Sequence, residues 1–195
     1  GKLSSLAYWD TKMSMPSKAT EHRANTLGFL SGEIFKMVTD DKVKEFIEFF
    51  DPIMNELELV DRSMIKALKK NYDEIKNIPQ DKFEEYTVAT SLGEAAWEEA
   101  KAKKDFEIFK RKLEKIVSLL REFTEYYGYK ENKYDALLNQ FEEGLTVKKV
   151  DKLFNELKEG ILNLLGRIKN STKVVNSKLL EGKYPIEAQK ELSEY

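Results

Sequence analysis

Apolar residues recur at intervals of three and four along most of this chain, and this spacing constrains its fold more than any other feature. Such intervals place the apolar side chains on one face of an α-helix. In the first such segment, after Pro16, the positions are Leu27, Leu30, Ile34 and Met37. No strand-like alternation of useful length occurs. We therefore predict an all-α fold, an antiparallel bundle of about seven or eight helices with short connections.

Capping and breaking residues divide this pattern into separate helices. Aspartate and threonine favour helix starts, proline follows a start or a break, and glycine ends a helix. In chain order the signals are Asp40, Asp51-Pro52, Pro79, Asp105, Gly128, Gly144, Thr146 and Pro185. Residues 170–183 are predicted to be a loop or weak helix. We expect one all-helical domain over residues 1–195, with a weaker tail segment over 170–195.

Three packing predictions follow from the same pattern. One continuous helical face is expected from Ile53 to Ile75. The small residues Ala89, Gly93 and Ala96 share a helix and would let a neighbouring helix approach closely. A short helix is expected from Tyr134 to Phe141, and its inward-facing residues would be Leu137, Leu138 and Phe141.

Charge and composition exclude several classes of function. The net charge of −2 gives no sign of nucleic-acid binding. No apolar run is long enough to cross a bilayer, so no membrane association is expected. The sequence contains no cysteine, which excludes disulfides, thiolate catalysis and cysteine-bound metals. No secretory signal is visible, and this favours the cytoplasm.

His22 is the only histidine in the sequence. A helical zinc-protease site needs two histidines four residues apart, so this sequence lacks one and no metal ligands are predicted. His22 is expected to be exposed to solvent. Paired carboxylates such as Glu142-Glu143 are expected on solvated helix faces, although a glycosidase-type carboxylate pair stays open. No catalytic residue is predicted in this chain.

Four tyrosines cluster around Gly128, namely Tyr126, Tyr127, Tyr129 and Tyr134. They are expected to pack a loop at a helix end, because large aromatic side chains dominate core burial. A stacking or ligand-binding surface is the alternative.

Three stretches together resemble the carboxypeptidase Taq family of metallocarboxypeptidases. The first is Trp9-Asp10, Met15-Pro16, Arg23 and Leu27. The second is Trp97, Ala100-Lys101, Asp105-Phe106 and Phe109. The third is Tyr134-Asp135, Leu137-Leu138, Phe141-Glu142 and Gly144, followed by Leu153-Phe154 and Leu157. Their order and spacing agree with the family from Trp9 to about Leu192. Phe141 and Glu143 differ from the tyrosine and proline that the family often has there.

The resemblance implies a parent enzyme that removes single residues from peptide C-termini. Zinc or cobalt would be bound by a His-Glu-x-x-His helix and a later glutamate, none of which lies in this sequence. This chain would be the N-terminal helical lobe, which forms a wall or lid of the substrate groove. It would be inactive alone, with the missing C-terminal catalytic lobe and peptide substrates as its partners, and the family commonly forms homodimers.

The motif residues have a structural or a groove-facing interpretation. The residues concerned are Trp9, Asp10, Met15, Pro16, Arg23, Tyr134, Asp135 and Glu142. The structural interpretation is favoured at the first motif, with Asp10 accepting backbone donors and with Trp9 and Met15 packing. These residue types offer no catalytic group that a metal mechanism lacks.

Two further hypotheses stay open. The chain is a self-standing helical interaction module without enzymatic activity, or it is a metal-independent enzyme that uses carboxylates such as Glu142.

Overall fold

The computed structural model describes residues 2–173 and 176–194, and within these ranges it contains nine α-helices and no β-strand. In chain order they are α1 (Lys2–Met13), α2 (Thr20–Val38), α3 (Asp41–Phe50), α4 (Leu59–Ile75), α5 (Gln80–Lys103), α6 (Glu107–Tyr127), α7 (Lys133–Phe141), α8 (Val147–Lys169) and α9 (Ile186–Ser193). The all-α prediction is confirmed. The count is higher because α1 was not predicted. Leu3, Leu6 and Trp9 have helical spacing, but their side chains are all exposed in the structure.

Most helix boundaries follow the predicted signals. The Asp40 carboxylate accepts a hydrogen bond of 2.9 Å from the backbone N of Lys42, at the start of α3. The Asp105 carboxylate accepts one of 3.0 Å from the backbone N of Glu107, the first residue of α6. α5 begins directly after Pro79, and α6 ends at Gly128, which has a φ of 75° that favours glycine. The sequence therefore defines the ends of these helices well.

The predicted continuous face from Ile53 to Ile75 is wrong. Residues Asp51–Glu56 form a 3-10 helix, Leu57 is extended, and α4 begins only at Leu59. The Arg62 guanidinium donates hydrogen bonds to the carbonyl oxygens of Asn55 at 3.2 Å and Leu57 at 2.9 Å. These bonds satisfy carbonyl groups that a continuous helix would have paired, so they stabilise the break.

α5 packs most extensively against its two neighbours, α2 and α6. A Cβ atom added at Gly28 of α2 would lie 2.6 Å from Cγ2 of Val88 in α5. One added at Gly93 of α5 would lie 2.6 Å from Cδ1 of Ile116 in α6. Both distances are shorter than a normal carbon–carbon contact, so a side chain at either glycine would force its neighbour to shift. The predicted close approach at Gly93 is confirmed.

The buried core lies around Phe35, Ile78 and Phe123. The Phe123 ring centroid is 5.2 Å from that of Tyr86, and Phe35 is 5.5 Å from Phe83. Ile78 is buried although it lies in the predicted break before Pro79, because the turn between α4 and α5 folds over the core.

One packing prediction in α7 is wrong. Phe141 is 90% exposed, whereas Ala136 is the buried residue of this helix. Phe141 is the last residue of α7, and the chain then turns through Gly144, which has a φ of 75°. The helical spacing places Phe141 on the same face as Leu137, but the helix ends there, and none of the residues that the structure describes covers its ring.

The structure separates into two units, one that ends at Val147 and one that begins at Lys148. α1 to α7 belong to the first unit, and α8 after its first residue and α9 belong to the second. The predicted loop over 170–183 contains a 3-10 helix at Ser177–Leu180, and its residues Val174 and Val175 lie outside the described ranges. The single domain over 1–195 with a weaker tail stays a prediction.

Candidate functional site

Asp10 and Arg23 connect the end of α1 to the start of α2. The Asp10 carboxylate forms an ion pair and hydrogen bond with Nη2 of Arg23. The backbone carbonyl of Asp10 accepts hydrogen bonds from the backbone N of Ser14 at 2.9 Å and of Met15 at 3.0 Å. The carbonyl oxygen, rather than the predicted carboxylate, therefore takes the backbone donors. The side chain is left to bind Arg23.

A charged cleft with a volume of about 650 Å³ lies between α1, α2 and α5. Met15 and Arg23 line it, together with Lys12 of α1 and residues of α5. Lys12 Nζ lies 2.7 Å from Glu94 Oε1 and 2.9 Å from Glu98 Oε1. Hydrogen bonds to these two carboxylates raise the pKa of Lys12 above its usual range, so it stays a cation. We call this feature the α1–α5 cleft.

Trp9 and Pro16 are not among the residues that line the α1–α5 cleft. Trp9 is 59% exposed, so the packing predicted for it is absent. Met15 is half-buried at the cleft wall. Of the first motif, the structure therefore brings Asp10, Met15 and Arg23 together and leaves Trp9 and Pro16 on the surface.

A second cleft, of about 430 Å³, is formed by the ends of α4 and α6, by α7 and by the turn that follows α7. Asp135 lines it, whereas Tyr134 and Glu142 are exposed outside it. Asp135 Oδ1 accepts a hydrogen bond of 2.7 Å from the backbone N of Val147, the first residue of α8. A carboxylate at this place pairs with one of the free N–H groups at the helix N-terminus. Its negative charge also interacts favourably with the positive end of the helix dipole. Asp135 is thus a structural residue that fixes where α8 begins.

The sequence pattern does not indicate the polar residues that α4 contributes to this second cleft. Lys70 Nζ lies 3.4 Å from Glu143 Oε2 and 4.0 Å from Glu74 Oε1. Glu74 Oε1 is buried and has no hydrogen-bond partner. These residues belong to α4, which is far from α7 in sequence, and no local motif signals that they line the same cleft.

Tyr127 lies between the second cleft and the aromatic core. Its ring centroid is 6.0 Å from that of Phe123, and its side chain also lines the cleft. Burial raises the pKa of Tyr127 to about 12, with further contributions from nearby Tyr86 and Glu74. Tyr126 also contacts Phe123, whereas Tyr129 and Tyr134 are exposed. Packing thus accounts for two of the four clustered tyrosines.

The residues of this chain do not fit a catalytic metal centre. Over residues 2–173 and 176–194, no three histidine, cysteine, aspartate or glutamate side chains lie close enough together to hold a metal ion. His22 is exposed, as predicted. Glu85, on α5, has its pKa lowered by a hydrogen bond from Lys115, which is the opposite of what a general acid needs. The charged side chains of the two clefts pair with one another, Lys12 with Glu94 and Glu98 in one cleft and Lys70 with Glu143 in the other.

None of the helices in the part of the chain that the structure describes is both long and apolar enough to cross a bilayer.

Comparison with known proteins gives one consistent family. A family model described as carboxypeptidase Taq (M32) metallopeptidase matches residues 2–195. Carboxypeptidase 1 of Bacillus subtilis is 40% identical over 97% of this chain and 38% of its own length. Thermostable carboxypeptidase 1 of Pyrococcus furiosus is 33% identical over 100% of this chain and 37% of its own length.

Solved structures agree with these sequence matches. The crystal structure of BsuCP superposes with a TM-score of 0.92 at 39% identity, over 99% of this chain and 39% of that one. The structure of Pyrococcus furiosus carboxypeptidase gives a TM-score of 0.73 at 32% identity, over 97% of this chain and 38% of that one. The chain thus spans less than two fifths of the length of the relatives that it matches.

Proposed function

Because this chain belongs to the carboxypeptidase Taq (M32) metallopeptidase family, we propose that it is the N-terminal helical lobe of a metal-dependent carboxypeptidase. That enzyme would release single residues from the C-termini of peptides. The observation that carries the proposal is the family match over residues 2–195 in a chain that covers 38% of the Bacillus relative. The longer relatives have room for a catalytic part that this sequence does not contain.

This chain alone would be inactive. A peptidase zinc centre of the helical type needs two histidines and an acidic ligand, and the sequence contains one histidine. That histidine is exposed and belongs to no metal-binding cluster among the described residues. The proposed enzyme would therefore obtain its zinc or cobalt ligands from another part of the protein.

The role proposed for the lobe is to form a wall or lid of the substrate groove. The α1–α5 cleft supports this role because it is open, charged and of a size that suits a peptide segment. Its Lys12, Glu94 and Glu98 side chains would bind a peptide through hydrogen bonds and would take no part in catalysis. A cytoplasmic location and a homodimer are proposed from the sequence and from the family resemblance.

Two measurements test the proposal, the length of the reading frame and the zinc content of the purified protein. We expect the reading frame to continue beyond Tyr195 and to encode a His-Glu-x-x-His helix. The protein from the whole frame should bind zinc stoichiometrically by elemental analysis, and the 195-residue chain should not. Stoichiometric zinc in the 195-residue chain, at a site abolished by His22→Ala, would contradict the proposal.

A self-standing interaction module is the second candidate. The exposed apolar residues of α8 favour it, because large apolar patches are commonly binding surfaces. It requires a reading frame that stops after Tyr195 and a 195-residue chain that is stable and soluble alone. The length of the frame therefore separates the two candidates.

A further inference from the structure

α8 carries a heptad pattern of apolar residues along its whole length. The positions alternate at intervals of four and three residues: Val150, Phe154, Leu157, Ile161, Leu164 and Ile168. We call these six residues the α8 seam. This alternation is the spacing by which one helix packs along another in knobs-into-holes fashion. A second helix that crosses at a shallow angle would therefore match it.

The α8 seam is largely exposed in this structure. Apart from half-buried Val150, its side chains are between 46 and 60% exposed. Leu153 and Leu165 flank the seam at 58 and 44% exposure and widen the apolar strip. Apolar strips of this length on soluble proteins are normally covered by a partner.

Gly160 marks the position where a partner would come closest. In the first unit, glycines inside helices are matched by neighbours, since a Cβ at Gly28 or Gly93 would lie 2.6 Å from another helix. A Cβ at Gly160 would meet nothing within 4 Å. Glycine is unfavourable inside a helix. Gly166 of α8 also has nothing within 4 Å, but it lies on the face opposite the seam, so Gly160 is the glycine that a partner on the seam would approach. Helical geometry places Gly160 at the border of the seam, beside Leu153 and Leu164.

We propose that the α8 seam is the docking surface for a helix from the remaining, catalytic part of the same polypeptide, with its closest approach at Gly160. This inference rests on the proposed function. It is supported by the BsuCP structure, which matches 99% of this chain with a TM-score of 0.92 although this chain covers only 39% of that one. A longer chain that keeps this fold has more than half of its length available to cover the strip.

A tethered segment also has an advantage over a separate partner. A helix in the same polypeptide reaches the seam at high effective concentration, whereas a second molecule must be recruited from solution. The polar residues that flank the seam carry both signs, with Asp151 and Lys158 on one side and Arg167 on the other. They suit a partner helix of mixed charge.

The test compares the 195-residue chain with the protein from its whole reading frame. Leu157→Lys/Ile161→Lys changes two seam residues, and Leu162→Lys makes the same chemical change on another face of α8. In the 195-residue chain we expect both variants to shift the melting temperature by less than about 2 °C, because all three side chains are exposed. In the longer protein we expect the melting temperature of Leu157→Lys/Ile161→Lys, the seam variant, to fall by more than about 8 °C. We expect that of Leu162→Lys to fall by less than half as much.

Hydrogen exchange of the unmutated proteins gives a second measurement that does not depend on a variant that folds. Backbone amides of residues 150–168 should exchange at least about 100-fold more slowly in the longer protein than in the 195-residue chain. The docking proposal would be overturned if these amides exchange at the same rate in both proteins. It would also be overturned if the seam variant leaves the melting temperature of the longer protein unchanged, or if Leu162→Lys lowers it as much as the seam variant does. A dimer of the 195-residue chain that the seam variant dissociates would overturn it as well, because the occupant would then be a second copy.

Peptidase activity separates this inference from the proposed function. A longer protein that trims peptide C-termini while its α8 stays unprotected contradicts the docking inference alone. A longer protein that protects α8 but never trims peptides contradicts the proposed function alone. A reading frame that ends at Tyr195 overturns both.

Discussion

The guanidinium of Arg23 in α2 donates a hydrogen bond to the carboxylate of Asp10 in α1, thirteen residues earlier in the chain. The two side chains are 27 and 37% exposed, so the pair is only partly screened by water. α1 buries few large side chains, since Leu3, Leu6 and Trp9 are exposed. The position of α1 therefore depends on this pair and on the bonds from Lys12 to α5.

Asp10→Asn should weaken the attachment of α1. The neutral amide cannot form the charged pair. We expect the free energy of unfolding to fall by about 1 kcal/mol, because charge-assisted hydrogen bonds are stronger than neutral ones. Faster hydrogen exchange in residues 2–13 and urea unfolding would measure the loss. Glu33→Gln is the matched control, because its pair with Lys36 is more exposed and should contribute less to stability. Equal effects of the two changes would argue against a special role for the Asp10 pair.

Gly28→Ala and Gly160→Ala should have opposite effects on the 195-residue chain. The added methyl at Gly28 overlaps Val88, whose branched side chain has little freedom to move, so we expect a loss of about 1–3 kcal/mol. The methyl at Gly160 enters open space and should raise helix stability by up to about 1 kcal/mol. Urea denaturation of both variants measures whether the free energy of unfolding falls at Gly28 and rises at Gly160. A stabilising Gly28→Ala would show that α2 and α5 pack less closely than described.

Phe123→Ala and Phe141→Ala each remove a phenylalanine side chain, one buried in the core and the other exposed to solvent. Phe123 is 1% exposed, and its removal should cost about 3–5 kcal/mol. Phe141 is 90% exposed, and its removal should change the 195-residue chain by less than about 0.5 kcal/mol. Thermal and urea unfolding would compare them. A large loss at Phe141 would restore the inward orientation that the sequence predicted.

Tyr127 should contribute to a fall in the stability of the chain as the pH rises between about 10 and 12. Its folded pKa of about 12 lies above the ordinary value of 10.0, so the folded state keeps a proton that the unfolded state releases. The contribution is complete below pH 10 and is lost as the pH rises through the folded pKa. Unfolding free energies over this range would show the slope, and Tyr127→Phe should make it shallower. Tyr134→Phe, at an exposed tyrosine, is the matched control variant.

Much of the fold is predictable because its signals are local. Proline at position 79, glycine at 128 and the aspartates at 40 and 105 act through backbone geometry or nearby hydrogen bonds, and the structure shows each boundary as expected. The break before α4 was missed because it depends on Arg62, which bonds to carbonyl groups five and seven residues earlier. Periodicity shows which residues share a face, but it does not show that Arg62 stabilises an interruption.

The candidate site was predictable only in part. Asp10, Met15 and Arg23 come together as a group, but the partner of the Asp10 carboxylate comes from another helix. Lys70 and Glu74 of α4 line the cleft that also contains Asp135, and this tertiary proximity leaves no mark in the sequence pattern. The exposure of Phe141 depends likewise on the absence of a neighbour at the end of α7 in the described structure.

The most direct measurement is a mass-spectrometric time course of a short unstructured peptide incubated with either of two proteins. One is the 195-residue chain, and the other is the protein from the whole reading frame, each with zinc or cobalt supplied. We predict that single residues disappear from the peptide's C-terminus only with the longer protein, and that a chelator stops their release. Release by the 195-residue chain alone, unchanged after chelation, would contradict the assignment of this chain to the non-catalytic lobe of a metallocarboxypeptidase.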